Sequence, residues 1–328
     1  MDRLSAFKTL RARPGINRAV RQAVLALNGG MSRLSDWLSS RWRVFGEVSL
    51  DLGDTRVRMF SAADDGIVNR LYYGQPWEVA ELRTWPLLVA HARTVFDVGA
   101  NTGVYSVLSA RLRPDARILA FEPHPTNYRR LLRNLELNNA RNVQAFELAL
   151  GDEVRRIEFT IPDDEQVSLV SSALRPFAES HYNIAYKQRW VGQTTLDCVV
   201  RDHGLEHVDL VKIDVESYEL AVLRGAEETL AKHRPVLLCE IFDFEVMCHL
   251  RPTLEGTIDR DQHLAIEELL RRHGYQFYAI GTWGLLRVDH LNWTDSGCNY
   301  VLSPVRTPER FLPWTHPDRF ALLMRERP

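Results

Sequence analysis

The block Val95-Phe-Asp-Val-Gly-Ala-Asn-Thr-Gly103, with Glu122 nineteen residues after its last glycine in Ile118-Leu-Ala-Phe-Glu-Pro123, constrains the fold of this chain more than any other feature. It reads as strand, glycine turn, helix, second strand and terminal acid. That order builds a pocket for an adenosine-like group. Glycines let backbone approach a ligand, and an acid closing the second strand can accept hydrogen bonds from both ribose hydroxyls. The glycine spacing then separates the cofactors. A dinucleotide site needs G-x-G-x-x-G so that a pyrophosphate rests on a helix N-terminus, whereas Gly99 and Gly103 stand four apart with Asn101 between them. Asp97, two residues before Gly99, is ill placed for a phosphate and suits an ammonium group, such as the methionine end of S-adenosylmethionine. The residues thus favour S-adenosylmethionine over NAD, with Gly99, Ala100, Asn101 and Gly103 in the turn and Asp97 and Glu122 beside it as expected cofactor contacts.

A chain of 328 residues has room for one large α/β domain with an appendage. Its hydrophobic fraction of 45% and charged fraction of 26% are those of an ordinary soluble globular protein, and no apolar run reaches the length of a spanning helix. The cysteines Cys198, Cys239, Cys248 and Cys298 form no C-x-x-C pair, so a reducing, cytoplasmic setting and no metal site are expected. A net charge of -2 argues against a nucleic-acid partner, which ordinarily leaves a strong basic excess on the domain. The charge is uneven, however. Residues 1–45 carry nine Lys and Arg against Asp2 and Asp36, and Val20, Val24 and Leu27 recur there at helical spacing. Two helices, at 15–28 and 31–40, are expected on either side of Gly29-Gly30. Such a basic amphipathic element can make weak peripheral contact with an anionic membrane. A helical cap or oligomer contact with a solvated basic face is the commoner use of the pattern and the favoured one.

Alternation over 46–60 around Gly53-Asp54 predicts a lead-in hairpin, followed by a helix at 78–92. Strands and helices then alternate. Strands are expected at 94–98, 117–122, 143–149, 208–214 and 235–241, and helices at 126–138, 195–203 and 217–231, the last interrupted near Gly225. An extra strand near 155–161 precedes a polar insertion at 162–193 with little periodicity. A loop with Pro252 and Gly256, a helix at 262–273 and strands at 275–280 and 298–303 complete the pattern. The alternation specifies a mostly parallel sheet with helices on both faces. The expected organisation is a basic helical extension at 1–45, a hairpin and helix at 46–90, the cofactor-binding domain at 91–305 and a tail at 306–328.

In open α/β sheets ligands bind beyond the carboxyl ends of the strands, so the acids there are the candidates: Asp97, Glu122, Asp152, Asp214 and Glu240. Asp152 either shapes the turn with Gly151 or contacts the adenine. In Asp209-Leu-Val-Lys-Ile-Asp-Val-Glu216, Lys212, Asp214 and Glu216 share one strand face by the period of two. They read either as an internal ion pair with Lys212, or as a reaction centre in which Asp214 lies beside the transferred methyl group and Glu216 orients or deprotonates the acceptor. His181, with Tyr182 and Tyr186, reads better as a solvated loop residue than as a substrate contact, and His124 as a decoration of its loop. Tyr72, Tyr73 and Trp77 form an aromatic group that reads as core packing before it reads as a cofactor lid.

The blocks FDVGANTGVYS (96–106), AFEPHPTNYRRLLRNLELNN (120–139), ALGD (149–152), TTLD (194–197), VDLVKIDVESYELAVLRGA (208–226) and RPVLLCEI (234–241) resemble the FkbM family of S-adenosylmethionine-dependent methyltransferases. The resemblance spans about residues 90–245. It implies a class I methyltransferase (Rossmann-like) fold with a seven-stranded sheet whose last strand is antiparallel. It also implies methylation of hydroxyl oxygens on sugars, polyketides or related natural products. It supports Gly99, Asn101, Gly103 and Glu122 as cofactor contacts and places Asp214 and Glu216 at the active-site edge. Where the family usually has glycine after K-I-D-V-E, this chain has Ser217. The expected activity is therefore O-methyl transfer to a hydroxyl of a sugar, glycan or glycosylated natural product. The rivals are a metal-assisted version through Asp214 and Glu240, and a binding protein without turnover.

Overall fold

The computed structural model describes residues 14–27, 32–63, 65–163, 171–175, 178–179, 185–242, 261–281, 284–291 and 298–304. Helices α1 (Pro14–Leu27) and α2 (Ser32–Arg41) precede a hairpin of β1 (Phe45–Leu52) and β2 (Thr55–Ala62), in which Leu52 pairs with Thr55 across Gly53-Asp54. The hairpin buries Val48, Leu50 and Leu52 and exposes Glu47, Ser49 and Asp51, as its alternation requires. A short helix α3 (Gly66–Tyr72), not expected from the sequence, starts where Asp65 accepts a hydrogen bond from the Val68 N–H. Helix α4 (Val79–Val89) then leads into β3 (Thr94–Val98), whose five residues are all buried, as suits a central parallel strand.

From β3 the chain alternates through α5 (Val104–Leu112), β4 (Arg117–Phe121), α6 (Pro125–Leu137) and β5 (Val143–Phe146). It then makes β6 (Ala149–Leu150), β7 (Arg155–Pro162) and β8 (Tyr186–Thr194). It resumes with α7 (Leu196–Asp202), β9 (Leu210–Ile213), α8 (Glu219–Arg224), α9 (Glu227–Lys232), β10 (Val236–Glu240), α10 (Gln262–Arg272), β11 (Gln276–Gly281), β12 (Gly284–Val288) and β13 (Asn299–Ser303). The large sheet runs β12-β11-β13-β10-β9-β3-β4-β5. Its segment from β10 to β5 is parallel, and β13 is inserted antiparallel between β10 and β11. Side chains alternate between two apolar layers. Val95, Ile118 and Leu210 pack with α4, α5, α6 and the hairpin, while Phe96, Leu119 and Val211 pack with α7 to α10. The result is an α/β fold, mostly parallel, with helices on both faces.

Three expectations need correction. The sheet has an eighth strand among the described residues, β12, pairing antiparallel with the outer side of β11. As an edge strand that exposes Leu286 and Arg287 it carries no alternation to detect. Residues 186–193, read as part of an aperiodic insertion, belong with Thr194 to β8, the centre of a second, three-stranded sheet between β6 and β7. Five of the first six residues of β8 are at least partly exposed polar or aromatic side chains, so strand formation there is driven by its partners and not by a buried face. The single strand expected at 143–149 is divided, because β5 belongs to the large sheet and β6 to the small one. The tail at 306–328, residues 1–13 of the basic segment, His181 and Tyr182, and Pro252 with Gly256 lie outside the described residues.

Two asparagines of α6 hold the lead-in hairpin against the domain. Asn134, fully buried, accepts from the Phe60 N–H (2.7 Å) and donates to the Thr102 carbonyl (2.7 Å), so one side chain ties β2 to the glycine turn. Asn138 accepts from the Arg58 N–H and donates to its carbonyl, as a further strand would. Replacing Asn134 with Ala leaves one donor and one acceptor without partners in the interior. It should lower stability by about 2 to 4 kcal/mol, read as a shifted urea midpoint with an unchanged slope. A shift under about 0.5 kcal/mol would show that the hairpin docks without it.

Candidate active site

The glycine turn joins the ends of β3 and β4. The Gly99 and Ala100 N–H groups both donate to the Phe121 carbonyl (3.0 and 2.9 Å), folding the chain back across the next strand. Gly99 has a φ of +79°, and a Cβ built there would lie 1.8 Å from the Asp214 carbonyl oxygen. Only glycine lets the turn and the end of β9 come this close. Gly103, at φ +91°, has the Leu131 side chain where a Cβ would sit. Asn101, at φ 50°, is held by its N–H, which donates to Glu122 Oε2 (2.8 Å). The hydroxyl of Thr102 donates to Asp65 Oδ2 (2.8 Å), which fastens the start of α3 to the turn.

Glu122 closes β4 with its side chain buried. Its Oε1 accepts from the His124 N–H (2.8 Å) and its Oε2 from Asn101. Burial pushes its carboxyl up to about 7, against the pull of those two backbone donors. A carboxylate has about four acceptor sites, so about two remain for ligand hydroxyls. His124 is not the loop decoration that its sequence suggested. It is buried, and its Nδ1 accepts from the Thr126 N–H to cap α6. Burial, with Arg130 next, holds it down at about 4, so it is neutral at physiological pH. Asp97 lies one strand over on the face that Lys212 shares, its Oδ2 accepting from the Ser106 hydroxyl (2.6 Å). Its Oδ1 has no hydrogen-bond partner among the described residues, and burial raises its carboxyl above the ordinary range.

At the end of β9, Lys212 and Asp214 form an ion pair of 2.7 Å, with the lysine side chain 3% exposed. The ion-pair reading of the Lys212 block is therefore present in the structure, and Asp214 also lines the cavity described below. The next turn is strained. Glu216 and Ser217 both have left-handed backbones, at φ 55° and 71°. Buried Glu219 holds them there by accepting from the Val215 and Ser217 N–H groups. The Ser172 hydroxyl donates to the Glu216 carbonyl and Gln262 to that of Ser217. Burial pushes the Glu219 carboxyl up to about 8. The left-handed position explains why glycine is at ease after K-I-D-V-E and what Ser217 costs.

These elements enclose a cavity of about 410 Å³, the size of a small-molecule site. Gly99, Ala100, Asn101 and Glu122 line one part, and Asp214, Glu216 and Glu240 another. Asp152 is not brought to it. It pairs with Arg155 at 3.6 Å, and Leu148, Ala149 and Leu150 line the wall instead. The lead-in segment supplies a wall that sequence reasoning missed, through Ile67, Arg70, Trp77 and Glu78. Of the aromatic group, Tyr72 and Tyr73 are core, with the Tyr73 hydroxyl donating to the Trp42 carbonyl, whereas Trp77 faces the cavity. Glu78 accepts a 2.5 Å hydrogen bond from the Tyr105 hydroxyl. No periodicity marks a lone acid at the mouth of a helix as a site residue. Among the described residues no set of three or more His, Cys, Asp or Glu converges as metal ligands would, and no helix is long and apolar enough to cross a membrane.

The chain matches the methyltransferase FkbM domain over residues 97–277. It is 30% identical over 216 residues to methyltransferase sdnD of Sordaria araneosa, a match covering 59% of this chain and 79% of that protein. It is also 30% identical over 149 residues to the 2-O-methyltransferase NoeI of Sinorhizobium fredii, covering 43% of this chain and 60% of that one. Among solved structures, methyltransferase FkbM from Methylobacillus flagellatus KT aligns at 16% identity with a TM-score of 0.38, over 73% of this chain and 55% of that chain.

Two outcomes are expected from this geometry. Affinity for S-adenosylhomocysteine should rise from about pH 6 to about pH 8, because ionised Glu122 accepts from two hydroxyls and protonated Glu122 cannot. Glu122→Gln should weaken binding by about 1 to 3 kcal/mol and flatten that rise, measured by calorimetry; unchanged affinity would remove Glu122 from the binding site. Ser217→Gly should relieve left-handed strain and stabilise the protein by about 0.5 to 1 kcal/mol in urea unfolding, and a destabilised variant would show the serine side chain to be the greater contributor.

Proposed function

The chain belongs to the FkbM methyltransferase family, and on that premise we propose that it transfers the methyl group of S-adenosylmethionine to a hydroxyl oxygen of a sugar, glycan or glycosylated natural product. The observation that carries this reading is that a single cavity joins Gly99 to Thr102 of the turn and Glu122 to the acids at the ends of β9 and β10, with Gly103 packed behind against Leu131. Glu122 would hold the ribose hydroxyls with its spare acceptor sites. The turn, with the partnerless Oδ1 of Asp97 buried behind it, suits the methionine portion with its ammonium group. S-adenosylmethionine supplies an electrophilic methyl group on a sulfonium. The rest falls to this chain, which holds the acceptor and receives its proton, with Asp214 and Glu216 at the edge where an acceptor would meet the methyl.

Two features support an uncharged hydroxyl acceptor. Four carboxyl groups, Glu78, Asp214, Glu216 and Glu240, line the acceptor side, and carboxyl groups accept hydrogen bonds from neutral hydroxyls. A relative with hydroxyl-oxygen specificity in its name, the 2-O-methyltransferase, points the same way. Placing an oxygen against the methyl carbon in a fixed geometry can contribute about 7 to 11 kcal/mol, against about 3 to 5 kcal/mol for proton removal, so orientation is the larger contribution. Unpaired Cys198, Cys239 and Cys298 support work in a reducing compartment such as the cytoplasm.

The test is transfer of labelled methyl from S-adenosylmethionine to a panel of methyl glycosides and polyhydroxylated lactones, with and without exhaustive chelation. Label should appear as an alkali-stable ether on a glycoside and persist after chelation. Label confined to lactones would overturn the sugar assignment, and label on nitrogen or carbon the hydroxyl one.

A further inference from the structure

We propose that Glu78 is the general base of the reaction, taking the proton of the acceptor hydroxyl, a role that rests on the reading of this cavity as the methyl-transfer site. Four carboxyl groups line the acceptor side, and two of them are poorly disposed for the task. Asp214 is committed to Lys212 at 2.7 Å. Burial, and then the charges of Asp214, Glu216 and Glu78, push Glu240 far above the ordinary carboxyl range, and the Cys298 thiol sits 3.4 Å from its Oε1. Its protonated form is thereby favoured over the carboxylate. Glu216 sits on the strained turn after β9, at φ 55°, with its carbonyl accepting from the Ser172 hydroxyl.

Glu78 differs from Asp214 and Glu240. It stands at the N-cap of α4, and its side chain makes no capping bond to that helix. It lines the cavity instead, and its backbone is held left-handed at φ 41°. A non-glycine residue keeps such a conformation only when its surroundings over-determine it. Those surroundings are specific. The Tyr105 hydroxyl donates to Oε2, and the tyrosine ring is wedged edge-on between Trp77 and Trp85 with the Lys212 ammonium 4.7 Å from its centroid. The carboxylate is therefore positioned with one oxygen bound and Oε1 left to receive a proton.

The charged groups around Glu78 come from every neighbouring element: Tyr105 on α5, Lys212 on β9 with Asp214 beyond it, Glu240 at the end of β10, and Glu81 on its own helix. Burial pushes its carboxyl up to about 8, Lys212 and Tyr105 pull down, and Asp214 and Glu81 push up. A base poised there accepts a proton readily and releases it again near neutral pH. In the reaction the acceptor oxygen forms a bond to the methyl carbon. The carbon–sulfur bond breaks with its electron pair remaining on sulfur. The hydroxyl proton passes to Glu78 Oε1 and then to solvent.

The experiment uses the full chain and three variants, Glu78→Gln, Glu78→Asp and Tyr105→Phe, each checked for a native thermal transition. With a methyl glycoside that the wild type uses, kcat should rise with pH toward about 8. Glu78→Gln should lose about 10²- to 10⁴-fold in kcat and the pH dependence, while S-adenosylhomocysteine affinity holds within about threefold. Glu78→Asp should recover part of kcat with its pH dependence. Tyr105→Phe should move the rise to higher pH, because removing a donor raises the carboxyl. In the infrared difference between wild type and Glu78→Gln, which cancels Glu122 and Glu219, a carboxyl band that disappears between about pH 6 and about pH 10 gives a readout without any acceptor. Absence of that band, or a Glu78→Gln enzyme with near-normal kcat and an unchanged profile, overturns the base and leaves the methyl-transfer reading standing. Lost cofactor affinity with kcat retained would make Glu78 a binding residue. No transfer by the wild type to any hydroxyl acceptor overturns both readings.

Discussion

A buried ammonium organises this molecule. Lys212 sits in the central strand of the sheet with its side chain almost wholly enclosed, and burying such a charge costs several kcal/mol unless it is paired. Burial alone would depress it most, but Asp214, Asp97 and Glu78 outweigh that and hold it above its ordinary range. Each partner comes from a different element: Asp214 from the end of β9, Asp97 from β3, Glu78 from the mouth of α4. The Tyr105 ring of α5 lies against the same ammonium. The cavity is thus assembled around one cation, and its acids are tolerated beneath an apolar layer because that cation is there.

The second constraint is how closely backbones approach. Gly99 can pass the Asp214 carbonyl only because it has no Cβ, and this contact brings the glycine turn against the end of β9. Residues with left-handed backbones collect at the same place. Asn101, Glu216, Ser217 and Glu78 all adopt it, and all but Ser217 line the cavity. Each is held by buried hydrogen bonds, from Glu122, Glu219 or Tyr105, so the cost of these conformations is met by the well-packed body of an FkbM-family domain. Strained backbone is thus concentrated on the wall of the cavity.

Helix α3 and the residues leading into α4 act as a wall of the site, with the hairpin packed behind them. Asp65, Asn134 and Asn138 fasten this segment to the glycine turn and to α6, so that Ile67, Trp77 and Glu78 enter the cavity from the N-terminal side. The family match covers residues 97–277, with the glycine turn and the ends of β4, β9 and β10, while part of the cavity wall comes from this earlier segment. That division is consistent with one cofactor chemistry serving different acceptors.

The parallel strands and the turn from Gly99 to Gly103 were legible in the sequence because they depend on local rules: a period of two, a period of 3.6, and glycine where backbone must turn sharply. Glu122 was legible for the same reason, as the acid that ends a strand. Other features came only from the tertiary structure. β8 and β12 are strands because neighbours pair with them, and edge or wet strands carry no apolar alternation. Asp152 reads like the other strand-end acids, yet it pairs with Arg155 outside the cavity. His124 turned inward to cap α6, and Glu78 turned away from its own helix toward Tyr105 and Lys212. Sequence determined which residues could adopt each local conformation. Only the folded chain decided which charges would share one low-dielectric space, because that depends on distances between residues far apart in the chain, and spacing along it does not encode them.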